Sequence, residues 1–132
     1  MKAKLLFIPM LCIPFIALAK PSDLVCKKRV ELEMGYEQHC VYSGSLSQAF
    51  HALGARVELW KPFLKYGLPK KDSDFRGYLA REGRKDEILY GVEWKGKNKV
   101  SVSACWNETD NCSMATFQQS NGKVLIKLYE SP

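Results

Sequence analysis

The sequence KVSVSACWNETDNCSMATFQQSNGKVLIKLYE occupies Lys99–Glu130 and carries the clearest structural pattern in the chain. Its apolar residues alternate with polar ones in three runs, and a period of two is typical of strands that bury one face. Ser120–Gly122 separates the second run from the third. Asn-Gly between alternating runs is a strong hairpin signal because both residues tolerate positive φ. The segment therefore predicts three successive antiparallel strands.

The loop between the first two of these strands is bracketed by Cys105 and Cys112. A disulfide across its ends would lower the entropy lost on binding, which raises affinity, and tryptophan is a frequent anchor in protein interfaces. The alternative is that the disulfide only stabilises the fold and that the Trp106 indole packs on its own sheet. We interpret the loop as a partner-binding site, with an indole, two carboxylates, two amides and a hydroxyl on Trp106, Asn107, Glu108, Thr109, Asp110 and Asn111.

The N-terminal segment Met1–Ala19 has the three parts of a secretory signal peptide. Lys2 and Lys4 precede an apolar run, and small residues at positions 17 and 19 form the cleavage pattern. The run is too short and too interrupted by proline to favour a membrane anchor. Cleavage after Ala19 leaves residues 20–132, a single small domain whose net charge falls from +6 to +4. We therefore predict a periplasmic or secreted protein that has no membrane segment after cleavage.

Four cysteines remain in the mature chain: Cys26, Cys40, Cys105 and Cys112. An even number in a short exported chain indicates two disulfides. Three pairings are possible, and we favour Cys26–Cys40 with Cys105–Cys112 because each pair brackets a plausible turn. A zinc site is the alternative, but the cysteines lack the spacing of two to four residues found in common zinc knuckles.

One long amphipathic helix is predicted between residues 46 and 64, with Ser43 or Ser45 as its N-cap. Gly54 suggests a kink or a close contact within it, and Pro62 would kink or end it. Its apolar stripe would cover the sheet. The stripe repeats at intervals of three and four residues on Leu46, Phe50, Leu53, Val57, Trp60 and Leu64.

Other segments carry weaker signals. Leu24–Met34 is assigned to strand, Gly67–Arg76 to a loop, and Ile88–Trp94 to a strand because its apolar residues alternate. Tyr78–Arg81 is a strand before a turn at Gly83–Asp86, or one helical turn. The fold class is α+β: an antiparallel meander of four to five strands covered by one main amphipathic helix, with two disulfides.

No motif for catalysis, cofactor binding or metal binding is present in this sequence, so we expect no enzyme, no cofactor and no metal. His39 and His51 have side chains that titrate near neutral pH, and they leave open a small secreted enzyme. Lysine and arginine alternate with acids along the chain, which favours a solvated surface over a nucleic-acid interface.

The order of strand, cysteine-bracketed loop, strand, glycine turn and strand, preceded by an amphipathic helix, resembles the Ivy-type periplasmic lysozyme inhibitors. In that family a disulfide-closed loop with the motif C-K-P-H-D-C enters the lysozyme cleft. Cys105 and Cys112 match its cysteines, with six residues between them instead of four, and Asp110 is the comparable carboxylate. The Pro-His-Asp core of the family motif is absent here. Small disulfide-bonded periplasmic immunity proteins block toxin clefts in a similar way.

Three functional hypotheses follow. The first is an exported protein that inhibits a cell-wall hydrolase or similar toxin through the loop, with that protein as its partner. The second is an extracytoplasmic structural or assembly subunit of a secretion or surface apparatus. The third is a small secreted enzyme that uses His39 or His51.

Overall fold

A computed structural model describes residues 23–107 and 111–131 of the chain. The predicted signal peptide and the loop residues Glu108, Thr109 and Asp110 lie outside the described residues. Within the described part, no helix is long and apolar enough to cross a membrane.

The described residues form eight strands: β1 (Leu24–Cys26), β2 (Val30–Leu32), β3 (Gly35–Ser43), β4 (Ser73–Arg81), β5 (Arg84–Trp94), β6 (Lys99–Trp106), β7 (Cys112–Ser120) and β8 (Lys123–Glu130). They make one antiparallel sheet in the order β1-β3-β8-β7-β6-β5-β4, with β2 paired to β3. The last five strands of the chain are consecutive neighbours, so the predicted meander is present.

The two faces of the sheet differ because its residues alternate between them. One face, here called the inner face, packs against the helices and carries a continuous core. The other face, here called the outer face, carries the residues between the buried ones. On β6 for example, Val100, Val102 and Ala104 are buried on the inner face. The alternation read from the sequence is therefore confirmed in the central strands.

The single predicted helix is wrong in its extent. Helix α1 spans Leu46–Gly54, a 3-10 turn follows at Glu58–Trp60, and α2 spans Lys61–Leu64. Pro62 stands in the first turn of α2, where its missing N–H breaks no helical hydrogen bond. Gly54 allows α2 to fold back onto α1, because a Cβ at that position would overlap the Leu64 side chain.

The start of α1 agrees with one of the two predicted caps. The Ser45 hydroxyl accepts a hydrogen bond from the Gln48 N–H at 3.2 Å, and the Gln48 side chain accepts one from the Ser45 N–H at 3.0 Å. This reciprocal pair satisfies two backbone donors at the helix end. The other candidate, Ser43, is the last residue of β3.

An aromatic cluster joins the helices to the sheet. Phe50 of α1 and Phe63 of α2 have ring centroids 4.7 Å apart in an edge-on arrangement. The Phe63 ring also stacks on Phe75 of β4 at 4.8 Å and on Tyr90 of β5 at 5.0 Å. Phe75 belongs to β4, which begins at Ser73, so the predicted loop Gly67–Arg76 is wrong in its last four residues.

Two other segments are shorter or displaced from their predicted limits. Leu24–Met34 contains two short strands, and Val30 and Leu32 of β2 are exposed and do not face the core. The turn between β4 and β5 consists of Glu82 and Gly83, both at positive φ, so it is tighter than the predicted turn. A two-residue loop of this type matches the twist of the strands that it joins.

Candidate binding site

A cross-strand disulfide between two central strands of the sheet closes the base of the candidate loop. Cys105 of β6 lies directly opposite Cys112 of β7, and their Cα atoms are 4.1 Å apart. Cys26 of β1 lies opposite Cys40 of β3 in the same way, at 4.0 Å. The disulfide pairing predicted from the sequence is confirmed.

Hydrogen bonds from backbone N–H groups hold the base of the loop on both sides. The Trp106 N–H donates to the Asn111 carbonyl at 3.0 Å, which continues the β6–β7 pairing one step past the disulfide. The Asn107 N–H donates to the Glu87 carbonyl of β5 at 3.1 Å. On the opposite side, the Cys112 N–H donates to the Ser131 hydroxyl at 2.7 Å. The base therefore lies between two neighbouring strands and is not at a free edge.

The sequence left two positions open for Trp106: exposed in the loop, or packed on its own sheet. Trp106 is the last residue of β6, lies opposite Ile88, and packs partly buried against the core on the inner face. Asn107, directly after β6, and Asn111, directly before β7, are exposed. The indole therefore has one part in contact with the core and another part at the surface beside the loop.

Two exposed apolar side chains flank the disulfide on the outer face. Leu89 of β5 is paired with Cys105 and is 38% exposed, and Met114, two residues after Cys112, is 48% exposed. A shallow hollow of about 380 Å³ lies beside them and includes Leu89 and Cys105 in its lining. The prediction of the site omitted Leu89 and Met114. Their signal in the sequence is a large apolar residue on the face where the strand pattern places polar ones.

A groove of about 510 Å³ continues from this hollow across the outer face. Its floor carries small side chains, and the hydroxyls of Ser101 and Thr116 lie 3.3 Å apart. Gly91 keeps the groove open, because a Cβ there would lie 2.9 Å from the Ser103 hydroxyl. Carboxylates line the groove at Asp72, Asp74 and Glu93.

A second concave region lies between the helices and the inner face, and it encloses about 490 Å³. The Tyr36 hydroxyl donates a hydrogen bond to the Glu130 carboxylate, and the Arg29 guanidinium lies 4.1 Å from the centre of the Tyr36 ring. Burial and the hydrogen bond to Glu130 raise the pKa of Tyr36 to about 12. Tyr36 is therefore a neutral donor at physiological pH and does not act as a proton acceptor there.

The two histidines lie on different layers. His39 is on the outer face of β3, with its Nε2 3.5 Å from the Glu37 carboxylate, and Glu37 also meets the Lys127 ammonium at 3.0 Å. The hydrogen bond from Lys127 lowers the pKa of Glu37. His51 is on α1, and its buried Nδ1 has no hydrogen-bond partner among the described residues. Neither histidine lines the concave regions described above.

Among residues 23–107 and 111–131, no group of three or more His, Cys, Asp and Glu side chains could hold a metal ion. Comparisons of the chain with protein-family models, with curated proteins and with solved structures found no match. Function is therefore inferred from the residues and the geometry described above.

Proposed function

We propose that this protein is exported and inhibits a cell-wall hydrolase or a similar toxin by inserting the loop 106–111 into the cleft of that enzyme. The observation that carries the proposal is the Cys105–Cys112 disulfide at the base of the loop. The two disulfides are compatible with an oxidising compartment, which agrees with a periplasmic or secreted location.

The base of the loop is suited to insertion because it is already ordered. A flexible loop loses conformational entropy when a partner orders it, about 1–2 kcal/mol for each residue fixed. The disulfide and the two backbone hydrogen bonds to Asn111 and Glu87 fix the ends of this loop before binding. More of the contact energy is then available for affinity.

The surroundings of the loop supply a larger contact surface. Trp106 at its start offers a partly exposed indole at the inner face, and Leu89 and Met114 expose apolar side chains beside the disulfide on the outer face. Tryptophan anchors surrounded by less critical contacts are typical of protein interfaces. The carboxylates of Glu108 and Asp110 add acidic groups to a chain of net positive charge.

The test is a titration of the purified mature protein into a panel of lysozymes and other peptidoglycan hydrolases, measured as dye released from labelled cell walls. We expect saturable inhibition of at least one of these enzymes. The triple variant Trp106→Ala, Glu108→Gln, Asp110→Asn should abolish it. The variant Tyr78→Ala, which removes an exposed aromatic ring from β4, serves as the matched control and should inhibit like the wild type. Full inhibition by the triple variant would contradict the proposal.

A second candidate function is an assembly subunit of a secretion or surface apparatus. It is favoured by β4, which ends the sheet and pairs with β5 alone among the described strands. A long unpaired strand edge is a template for pairing with another chain. In that case the loop would be dispensable, and the triple variant would assemble normally.

A further inference from the structure

The end of the sheet at β4 has a defined set of outward backbone groups. The Glu87 carbonyl accepts from Asn107, and the Lys95 N–H donates to Lys99, so the odd-numbered residues of β5 bond toward β6. Even-numbered residues of β5 therefore bond toward β4, because the N–H and C=O of one residue point to the same side. Phe75 and Gly77 of β4 are paired with these residues. The N–H and C=O groups of Asp74 and Arg76 consequently point away from the sheet.

The side chains of these two residues have opposite charge and lie on the same outer face. Asp74 and Arg76 are separated by one residue, and Arg76 is 70% exposed on its side chain. If a second copy of the strand lies antiparallel with Phe75 on the two-fold axis, each Asp74 stands directly opposite the partner's Arg76. Opposite charges in this position stabilise strand pairing, whereas like charges destabilise it.

The alternation of inward and outward backbone groups along β4 agrees with this register. Asp74 and Arg76 both present outward groups, so they form hydrogen-bonded pairs across the axis, about two bonds for each pair. Phe75 meets the partner's Phe75 on the inner face in the closer, non-hydrogen-bonded position. Arg76 also meets its own Glu87, Nε to Oε1 at 3.4 Å, and a guanidinium has enough donors for both carboxylates.

A groove accompanies the same part of the edge. It encloses about 470 Å³ and runs along residues 73–76, with Tyr66 and Pro69 on its far side. Tyr66 is 73% exposed, and its ring lies edge-on to Phe75 with the centroids 6.2 Å apart. The groove thus offers an apolar surface beside residues 73–76, which include the three residues of the charge register.

We infer that two copies of this chain associate by antiparallel pairing of their β4 strands around Phe75, with Asp74 of each copy opposite Arg76 of the other. The pairing joins two sheets into one continuous sheet. It is short, so the dimer is a weak, concentration-dependent one.

The first experiment is sedimentation equilibrium of the disulfide-bonded mature protein from 10 μM to 1 mM. We expect a monomer–dimer equilibrium. Arg76→Asp places two carboxylates opposite each other and should raise the dimer Kd about tenfold or more. The charge swap Asp74→Arg, Arg76→Asp restores opposite pairs and should return the Kd to within about threefold of the wild type. Arg84→Asp, the same charge change at the first residue of β5, is the control and should leave the Kd unchanged.

A second measurement follows amide hydrogen exchange by NMR at the two ends of this concentration range. The N–H groups of Asp74 and Arg76 should exchange more slowly at 1 mM, whereas that of Ala80, beyond the paired segment, should not change. A monomer at every concentration would overturn the inference. So would a dimer that Arg76→Asp does not weaken, or protection that falls on another strand. Pairing of this edge only with a strand of a different protein would likewise replace the second copy as its occupant.

Discussion

The two disulfides join strands in the same way, but they lie on opposite faces of one sheet. Cys40 is 2% exposed on the inner face, and its bond to Cys26 attaches the short strand β1 beside the core. Arg56, which follows α1, donates to the Leu24 carbonyl at 3.1 Å and so ties the helix layer to the same strand. Cys105–Cys112 lies on the outer face, away from the core, and closes a loop. The same bond is therefore structural in one region and, in our proposal, functional in the other.

The largest expected effect is on stability at the first disulfide. The double variant Cys26→Ala, Cys40→Ala should lower the free energy of unfolding by about 3–5 kcal/mol. The variant loses a disulfide that joins residues 14 positions apart in the unfolded chain, and the buried Cys40 side chain becomes smaller. Denaturant unfolding followed by circular dichroism measures this change. An effect below that of the second disulfide would contradict the contrast between the two regions.

Removal of the second disulfide should cost less stability and more binding. This disulfide joins residues only 7 positions apart, and a shorter loop restricts the unfolded chain less. Cys105→Ala, Cys112→Ala should therefore lower the free energy of unfolding by about 2 kcal/mol. Inhibition of the target hydrolase should weaken at least tenfold, because the loop ends are no longer fixed before binding. Unchanged inhibition with lowered stability would show that this disulfide only stabilises the fold.

Trp106→Ala separates the contribution of the indole to folding stability from its contribution to inhibition. Because the ring is only partly buried, its loss should lower the free energy of unfolding by about 1–2 kcal/mol, below the 3–5 kcal/mol of a fully buried aromatic residue. Glu108→Gln, Asp110→Asn should leave stability unchanged and weaken inhibition. Denaturant unfolding and the dye-release titration, run on both variants, measure these effects. A stability loss typical of a core tryptophan would show that the indole acts mainly in packing.

The smallest effect is expected from Tyr36, which connects the two regions through Glu130. The Tyr36 hydroxyl and, more weakly at 3.4 Å, the Ser113 hydroxyl beside Cys112 both donate to that carboxylate. The pKa of Tyr36 is raised from 10.0 to about 12, so its contribution to stability is fully present below pH 10 and is lost as the pH rises through 12. Tyr36→Phe should cost about 1 kcal/mol at pH 7, and the difference from the wild type should vanish by pH 12. An equal difference at both pH values, in denaturant melts, would contradict this linkage.

Much of the fold was predictable because local patterns and tertiary packing agree in β5–β8. Strict alternation placed Val100, Val102 and Ala104 on the buried face, and the Asn121-Gly122 turn fixed the last hairpin. The helix layer was not predictable in the same way. A stripe at intervals of three and four residues is retained when the chain bends at Gly54 and restarts near Pro62, because the bent chain still packs those residues on one core.

The candidate site was predictable only in part, because some of its features depend on pairing between strands that are distant in the sequence. Cysteine spacing was sufficient for the pairing of Cys105 with Cys112. The position of Trp106 depended on where β6 ends, and that is set by its pairing with Ile88 of a distant strand. Leu89, Met114 and the open edge of β4 are properties of the assembled sheet, since strand order determines what lies beside them.

The most direct test of the central proposal compares the oxidised protein with its Cys105→Ala, Cys112→Ala variant in the dye-release titration against the hydrolase panel. Both proteins retain Cys26–Cys40, so a difference between them reports on closure of the loop. We predict that the oxidised protein inhibits a hydrolase saturably at one-to-one stoichiometry and that the variant inhibits it at least tenfold more weakly. Absence of inhibition across the panel by the oxidised protein, or equal inhibition by both proteins, would contradict the account.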